Sequence, residues 1–258
     1  MDVKLSGIKA VFLDLDGTIY LGGNLIPGAL EFLARCEEKG VKRYFLSNNS
    51  SRSVEQYVAK LNRMGIPCAA KDVLLSTHDL LSWLAKEGVT RTWSIATSGM
   101  CSMLEEAGIT TRDENPEYVV LGYDTEIDYE KISTASIHMH KGVPLVASHP
   151  DMVCPSPDGG LPDVGAYLAM LKVTTGKDPV HITGKPNPGM IMHKIEELGL
   201  EPSECAMVGD RLYTDMEMAI QAECVSVLVL SGEATKEDLL NSGKDVSVVV
   251  DSVDELLR

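Results

Sequence analysis

The sequence is short of positive charge, and this shortage limits the partners that the chain can have. Lys and Arg number 23 against 38 Asp and Glu, which gives a formal net charge of −15. Such a chain repels nucleic acid and anionic membrane surfaces. A small anionic substrate would need local cationic help, either from a metal ion or from a positioned lysine.

Long apolar runs and cysteine pairs are also lacking. No uninterrupted apolar stretch approaches the ~18 residues that a membrane span needs, and the first residues have neither the charged nor the apolar region of a secretory signal. The six cysteines are scattered, without a C-x-x-C pair or a histidine at zinc spacing, so we expect them to be reduced and mostly buried. These absences predict a soluble, cytoplasmic protein.

What the sequence does have is an alternation of short runs rich in Val, Ile and Leu with segments of helical period. This alternation predicts an α/β fold with a mostly parallel sheet. The predicted elements are strands over 9–15, 41–47, 180–183 and 205–208, a helix over 214–222 and a loop over 155–162. With 258 residues, the chain has room for a core and a second module.

Two aspartates two residues apart, Asp14 and Asp16, lie at the end of the first predicted strand. Alternation along a strand directs both carboxylates to one side, in a run too apolar for a half-exposed edge strand. Two anions at a buried strand end are costly unless a divalent cation lies between them, or unless one attacks while the other handles a proton. The alternative is that Asp16, Gly17 and Thr18 form an ordinary turn.

Polar residues also follow two other predicted strands, at the sheet edge where parallel α/β proteins bind ligands. Ser47, Asn48 and Asn49 close the second strand, where their side chains and the N–H groups of a helix start would cradle a phosphate. The alternative is that they cap that helix. Lys185 follows strand 180–183, where an ammonium group would neutralise a nucleophilic aspartate; the alternative is an ordinary surface lysine.

A second acidic position, Asp210, follows strand 205–208 much as Asp14 ends the first strand. Hard carboxylate oxygens of this kind suit Mg²⁺, which binds few protein carboxylates and keeps several waters. Asp215 lies in the same motif. It either supports the same cation or caps the following helix, a role that is also open to Thr214.

Taken in order, four of these motifs resemble those of the haloacid dehalogenase-like (HAD) phosphatase superfamily. They are Asp14-Leu15-Asp16-Gly17-Thr18, Ser47-Asn48, Gly184-Lys185-Pro186 and Gly209-Asp210 through Asp215. The fuller strings around them are similar to its class IIA branch of NagD-like and 4-nitrophenylphosphatase-like enzymes. The resemblance spans essentially the whole chain and implies a Rossmann-like core with a parallel sheet, plus an inserted α/β cap domain of the C2 type.

The resemblance also implies roles for the residues that match the motifs. Asp14 would be the nucleophile that forms an aspartyl-phosphate, and Asp16 the acid that protonates the leaving oxygen and then activates water. Thr18 would orient Asp16, and Lys185 would neutralise charge between Asp14 and the phosphate. The implied phosphate-binding set comprises Gly17, Thr18, Ser47, Asn48, Asn49 and Lys185. The implied Mg²⁺ ligands are Asp14, the carbonyl of Asp16 and Asp210, with Asp215 in support.

Motif spacing predicts where the cap is inserted. Asp14 and Ser47 are 33 residues apart, which leaves no room for a domain, whereas Ser47 and Lys185 are 138 apart. The predicted core is therefore 1–77 with 181–258, and the predicted cap is 78–180. In the predicted cap, His149 stands where related sequences usually have Asn before Pro-Asp. We expect it to contact the leaving group of the substrate; the alternative is a loop histidine without a partner.

The function that the resemblance implies is Mg²⁺-dependent hydrolysis of small phosphomonoesters, such as nucleotide or sugar phosphates or 4-nitrophenyl phosphate. A phosphotransferase that passes the group to a sugar or nucleoside is an alternative, and so is a non-catalytic sensor of a phosphate ligand. The expected partner is a small phosphorylated metabolite, with no nucleic acid and no membrane. Caps of this type often support dimers in the family, so a homodimer through the cap is a further expectation.

Overall fold

The computed structural model describes residues 5–154 and 159–258, and alternating strands and helices make up most of this part of the chain. The strands are β1 (Ala10–Asp14), β2 (Tyr20–Leu21), β3 (Asn24–Leu25), β4 (Lys42–Ser47), β5 (Val73–Leu75), β6 (Thr92–Ile95), β7 (Tyr118–Leu121), β8 (Leu145–Ala147), β9 (Val153–Cys154), β10 (Leu161–Pro162), β11 (His181–Ile182), β12 (Cys205–Gly209), β13 (Val225–Val229) and β14 (Val248–Val250). The α-helices are α1 (Ala29–Glu38), α2 (Val54–Arg63), α3 (Ser76–Lys86), α4 (Ser98–Glu106), α5 (Tyr129–His140), α6 (Val164–Thr175), α7 (Gly189–Leu198), α8 (Glu217–Gln221) and α9 (Lys236–Ser242). A π-helical turn, Leu212–Met216, precedes α8.

The chain divides into two compact units, each with its own sheet. Of the described residues, unit 1 comprises those within Met1–Ser47, Tyr57–Leu74 and Lys185–Arg258, and unit 2 those within Asn48–Gln56 and Leu75–Gly184. The predicted core and cap, 1–77 with 181–258 and 78–180, differ from these units by a few residues at each boundary and did not assign 48–56 to unit 2. The role of unit 2 as a cap stays a prediction.

Unit 1 is built on a six-stranded sheet in the order β14-β13-β12-β1-β4-β5. The pairs from β14 through β4 are parallel, as the alternating pattern of the sequence predicted. All five residues of β1 are buried, which is what an apolar run in the middle of a sheet covered on both faces requires. Unit 2 has a parallel four-stranded sheet in the order β11-β8-β7-β6. The predicted α/β fold class is thus confirmed.

Two predicted elements need correction, and α9 was not predicted. The helix predicted over 214–222 begins instead as a π turn, because the N–H of Met216 reaches back to the carbonyl of Arg211 at 3.1 Å. The loop predicted over 155–162 contains β10 at its end, paired with β9; residues 155–158 lie outside the described part. In α9, the capping box of Thr235 and Asp238 was the available signal.

None of the helices in the part of the chain that the structure describes combines the length and apolar character that crossing a membrane requires.

Candidate active site

Three strands of unit 1 end at one edge of the sheet, and each brings a polar side chain there. Asp14 is the last residue of β1, Ser47 the last of β4, and Asp210 directly follows β12. The three strands are parallel neighbours, with Asp14 paired to Leu46 and Leu13 paired to Val208. The carboxyl ends of parallel strands are the usual ligand-binding edge of such a sheet.

Lys185 connects two of the acidic side chains at this edge. Its ammonium group donates to Oδ1 of Asp14 and, at 2.7 Å, to Oδ1 of Asp215. Only 2% of Lys185 is exposed, so the alternative of an ordinary surface lysine is excluded. A buried ammonium is tolerated because two carboxylates compensate its charge.

Asp215 reaches Lys185 from the π turn. Its second oxygen, Oδ2, accepts the backbone N–H of Arg211 at 3.1 Å. Asp215 lies inside the turn and the residue at its N-cap is Arg211, so neither Asp215 nor Thr214 caps a helix. The widened turn directs the Asp215 carboxylate back toward Arg211, at the start of the turn, and toward Lys185.

Burial and crowding of like charge shift the ionisation of these groups. Burial raises the pKa of Asp14 to about 7, although the Lys185 ammonium acts in the opposite direction. Burial likewise raises the pKa of Asp210 to about 6, and the charge of Asp215 adds to that rise. Burial alone would lower the pKa of Lys185, but Asp14 and Asp215 raise it above its ordinary value. Lys185 therefore carries a full positive charge at neutral pH.

Backbone approaches Asp210 closely from two directions. A Cβ atom placed on Gly17 would lie 2.3 Å from Oδ2 of Asp210, and one on Gly232 would lie 2.0 Å from the same oxygen. Gly17 also has φ +89°, a backbone conformation that other residues rarely adopt. Glycine is therefore required at 17 both by the turn and by the packing of the carboxylate.

The donor set of this site fits Mg²⁺. Asp14, Asp210 and Asp215 each offer a carboxylate oxygen, and these oxygens lie within 4.8 Å of one another. Within residues 5–154 and 159–258, Oδ1 of Asp210 is buried and has no hydrogen-bond partner. A desolvated carboxylate oxygen of this kind is what a hard cation satisfies. Both oxygens of Asp215 already accept hydrogen bonds, so Asp14 and Asp210 are the better placed ligands.

The other predicted residues of the first motif lie beside Asp14. Asp16 is partly exposed, and its predicted role as the acid stays a prediction. Thr18 is fully buried, and its hydroxyl has no hydrogen-bond partner in the part of the chain that the structure describes. Its predicted role in orienting Asp16 stays a prediction.

The predicted phosphate-binding segment crosses from one unit to the other. In unit 1, the hydroxyls of Ser47 and Tyr57 lie 2.9 Å apart. In unit 2, the amide of Asn48 donates to both oxygens of Asp151 at 3.2 and 3.1 Å, and the side-chain carbonyl of Asn49 accepts the N–H of Ser51 at 3.0 Å. Since α2 begins only at Val54, none of the three predicted residues caps it.

His149 lies in the interior of unit 2 between two carboxylates. Its Nδ1 is 3.7 Å from Oδ2 of Asp151, and its Nε2 is 3.6 Å from Oδ1 of Asp163. The alternative of a loop histidine without a partner is therefore wrong. The two ring nitrogens thus face different carboxylates, and one ligand atom from each of His149, Asp151 and Asp163 lies within 4.8 Å of the others, a spacing that could hold a metal ion. Its predicted contact with a leaving group stays a prediction.

Sequence reasoning missed the segment from Ser231 to Ala234. It follows β13, another strand of the same sheet, and Glu233 donates its backbone N–H to Oδ2 of Asp210 at 2.7 Å. The signal was a Ser-Gly pair directly after an apolar strand run, but the segment contacts the site mainly through its backbone. Backbone contacts leave little trace in side-chain patterns.

Fold and site together define an α/β enzyme with a cluster of buried aspartates and a buried lysine at one edge of its sheet. Two family models match the chain: haloacid dehalogenase-like hydrolase over residues 11–110 and HAD-hydrolase-like over residues 182–256. Among curated proteins, an acid sugar phosphatase of Staphylococcus aureus is 34% identical over 235 residues, which cover 90% of either chain. The chain belongs to the haloacid dehalogenase-like hydrolases, so the predicted family is confirmed.

Solved structures agree with this assignment. A 4-nitrophenylphosphatase from Thermotoga maritima is 39% identical, covers 98% of both chains and has a TM-score of 0.94. A glycerol phosphate phosphatase from Mycobacterium tuberculosis, solved in complex with magnesium, is 25% identical with a TM-score of 0.91; the match covers 99% of this chain and 78% of that one. These relatives are phosphatases by name.

Proposed function

We propose that this chain is a Mg²⁺-dependent phosphatase of small phosphomonoesters that works through an aspartyl-phosphate on Asp14. The observation that carries the proposal is the buried Lys185 ammonium bonded to Asp14, next to Asp210 with its unsatisfied carboxylate oxygen. Phosphoryl transfer mainly requires positioning and stabilisation of negative charge. A buried cation and a cation site beside one carboxylate meet that requirement.

In the first half-reaction, an Asp14 oxygen attacks phosphorus and the bond to the ester oxygen breaks. Asp16 gives its proton to the departing oxygen, so an alcohol leaves and Asp14 carries the phosphoryl group. Lys185 stays charged throughout and holds both Asp14 and the incoming phosphoryl oxygens. The partial exposure of Asp16 supports this role, because the group must reach a substrate oxygen.

In the second half-reaction, Asp16 acts as a base. It takes a proton from water as that water attacks phosphorus, the bond to Asp14 breaks, and inorganic phosphate leaves with Asp14 restored. Bound Mg²⁺ would neutralise the charge of the phosphoryl oxygens and keep Asp14 ionised. Asp14, the carbonyl of Asp16 and Asp210 would hold it, with Asp215 in support through Lys185.

The substrate class follows from the relatives. They are named for sugar phosphates, glycerol phosphate and 4-nitrophenyl phosphate, so we propose a small phosphorylated metabolite for this chain. We also propose that unit 2 is the C2-type cap and that the protein forms a homodimer through it. None of the six cysteines forms a disulfide in the part of the chain that the structure describes, which supports our proposal of a reducing, cytoplasmic location.

Replacement of the nucleophile tests the proposal. Asp14→Asn should abolish release of 4-nitrophenol from 4-nitrophenyl phosphate, because a neutral amide does not attack phosphorus and is a weaker Mg²⁺ ligand than a carboxylate. Asp251→Asn is the matched control, since it removes one charge from a carboxylate whose side chain is 82% exposed. Circular dichroism checks that both variants fold. Full turnover by Asp14→Asn would refute the mechanism.

The covalent intermediate can be tested separately with Asp16→Asn. This variant lacks the base for the second half-reaction, so labelled phosphate from an activated aryl ester should remain on the protein after acid quench. Peptide mapping should find one label per chain, on Asp14. An unlabelled protein together with active wild type would exclude the aspartyl-phosphate. Adding sugar or nucleoside acceptors to wild type and looking for a new ester separates hydrolysis from phosphotransfer.

A further inference from the structure

The segment after β13 surrounds Asp210 through its backbone. The N–H of Glu233 donates to Oδ2 of Asp210 at 2.7 Å, and the N–H of Ala234 donates to the Asp210 carbonyl at 3.0 Å. The hydroxyl of Ser231 donates to the carbonyl of Gly17 at 2.7 Å. With Oδ2 fixed in this way, Oδ1 is the Asp210 oxygen that is left for a cation.

A side-chain cluster holds this segment in place. Oε2 of Glu233 forms an ion pair with Nε of Arg211 at 3.0 Å, without the geometry of a hydrogen bond within the described residues, and accepts the hydroxyl of Tyr213 at 3.2 Å. Arg211 and Tyr213 belong to the stretch that starts immediately after Asp210, whereas Glu233 comes from the segment after β13. We call Arg211, Tyr213 and Glu233 the clasp. The clasp joins the stretch after Asp210 to the same segment whose backbone holds the Asp210 carboxylate.

We propose that the clasp is a positioning device for the cation ligand Asp210, so that Arg211, Tyr213 and Glu233 tune Mg²⁺ affinity without touching the metal or the substrate. The inference rests on the proposed function in that the cation is Mg²⁺. Groups that orient a metal ligand typically change affinity 10- to 100-fold when they are removed. Loss of the clasp frees the segment at 231–234, and Oδ2 of Asp210 then loses its fixed donor.

Replacement of Arg211 distinguishes a positioning role from a purely electrostatic one, because the two predict opposite changes in Mg²⁺ affinity. Its guanidinium is a positive charge close to the carboxylates of the site, so Coulomb repulsion alone predicts that Mg²⁺ binds more tightly once that charge is removed. A positioning role predicts instead that Mg²⁺ binds more weakly without Arg211. Arg211→Met should therefore weaken Mg²⁺ binding about 10-fold or more. In Arg211→Met/Glu233→Met the charge changes cancel, and the weakening should be about the same as in Arg211→Met, because both residues belong to one cluster.

Isothermal titration of the full-length chain with Mg²⁺ measures this directly. Lys236→Met is the matched control: it also removes one positive charge near the segment, but from an exposed pair with Asp251 at 3.7 Å, and its dissociation constant should stay within about twofold of wild type. Tyr213→Phe, which removes a single hydroxyl, should weaken binding a few-fold. If Arg211→Met does not fold, Tyr213→Phe and Glu233→Gln carry the test, both with weaker binding expected.

The outcomes separate this inference from the proposed function. If wild type and Asp210→Asn bind Mg²⁺ alike, the proposed metal site is wrong. If Asp210→Asn abolishes binding but the clasp variants bind as wild type or more tightly, the positioning role alone is wrong. A clasp variant that lowers only the thermal midpoint of the metal-free protein would mark a structural role and overturn the inference. We expect turnover of 4-nitrophenyl phosphate by Arg211→Met to be low at limiting Mg²⁺ and to recover at saturating Mg²⁺.

Discussion

At the scale of single residues, Lys185 is the group on which the acidic cluster depends. It is bonded to Asp14 and Asp215 and is almost fully buried. Asp210 stands in the same cluster, and its pKa is raised to about 6 by burial and by Asp215. Lys185 therefore compensates the buried carboxylates of Asp14 and Asp215 in the metal-free protein, and its removal leaves these two without their ammonium partner.

Lys185→Met should lose turnover and also destabilise the metal-free protein. Breaking a buried ion pair from one side typically costs about 3–5 kcal/mol, because the remaining charge stays buried. Urea unfolding in the presence of a chelator measures this cost. Lys9→Met is the control: its partner is Glu204, its own side chain is 60% exposed, and such a pair contributes at most about 1 kcal/mol. Equal stability losses in the two variants would contradict the view of Lys185 as the central charge.

Some features of the individual site residues could be predicted from the sequence, and others could not. The strand-end positions of Asp14, Lys185 and Asp210 were predictable, because apolar runs precede them and parallel strands end at a common edge. Burial of Lys185 was not, since a lysine in a loop is exposed in most proteins. The Asp163 carboxylate beside His149 was also out of reach, because Asp163 lies 14 residues further along the chain and only the fold of unit 2 brings it close.

At the scale of elements, the turn after β12 and the segment after β13 form the walls of the site. The sequence predicted a regular helix over 214–222, which includes the second half of this turn. The turn is instead a π turn, in which Asp215 bonds back to Arg211. The segment after β13 was not recognised at all. Irregular backbone of this kind is set by contacts between strands that are distant in sequence, and local propensity does not contain them.

Gly232→Ala tests the wall formed by the segment after β13. A Cβ atom at Gly232 would lie 2.0 Å from Oδ2 of Asp210, so either the carboxylate or the segment must move. Misplacing a reacting group or its ligand by about 1 Å typically costs about 100-fold in rate, and we expect a loss of that order in kcat/KM for 4-nitrophenyl phosphate. In the control Gly23→Ala, a Cβ would meet no described atom within 4 Å. Similar activity of the two variants would refute the close packing of Asp210.

At the scale of the whole molecule, the chain has more acidic than basic residues, and several acidic side chains lie together in the candidate site. The net charge is −15, yet the carboxylates of Asp14 and Asp210 lie in the interior, where burial disfavours the charged form. Alternation of strands and helices made the α/β class and a second module predictable from the sequence. The assignment of 48–56 to unit 2 was not predictable, because the segment continues directly from β4 of unit 1.

Acidity and magnesium should therefore act on stability in opposite ways. Burial raises the pKa of Asp14 from 3.8 to about 7 and that of Asp210 from 3.8 to about 6. The folded protein thus holds these protons more tightly than the unfolded chain does. Their contribution to stability is complete below about pH 4 and is lost as the pH rises through about 6 to 7. Mg²⁺ binds the ionised carboxylates, so the stabilisation that it provides should grow over the same interval.

Thermal unfolding with a chelator and with excess Mg²⁺, at pH 5 and at pH 8, measures this linkage. Other groups titrate in the same range, so the informative quantity is the rise in midpoint on adding Mg²⁺, compared between wild type and Asp210→Asn. Wild type should show a clearly larger rise at pH 8 than at pH 5, because at pH 5 protons compete with the metal for Asp14 and Asp210. Asp210→Asn should show little rise at either pH, since a neutral amide replaces one of the two main charged ligands. An equal rise for wild type at both pH values would mean that the cation binds carboxylates of ordinary acidity, away from this buried sheet edge.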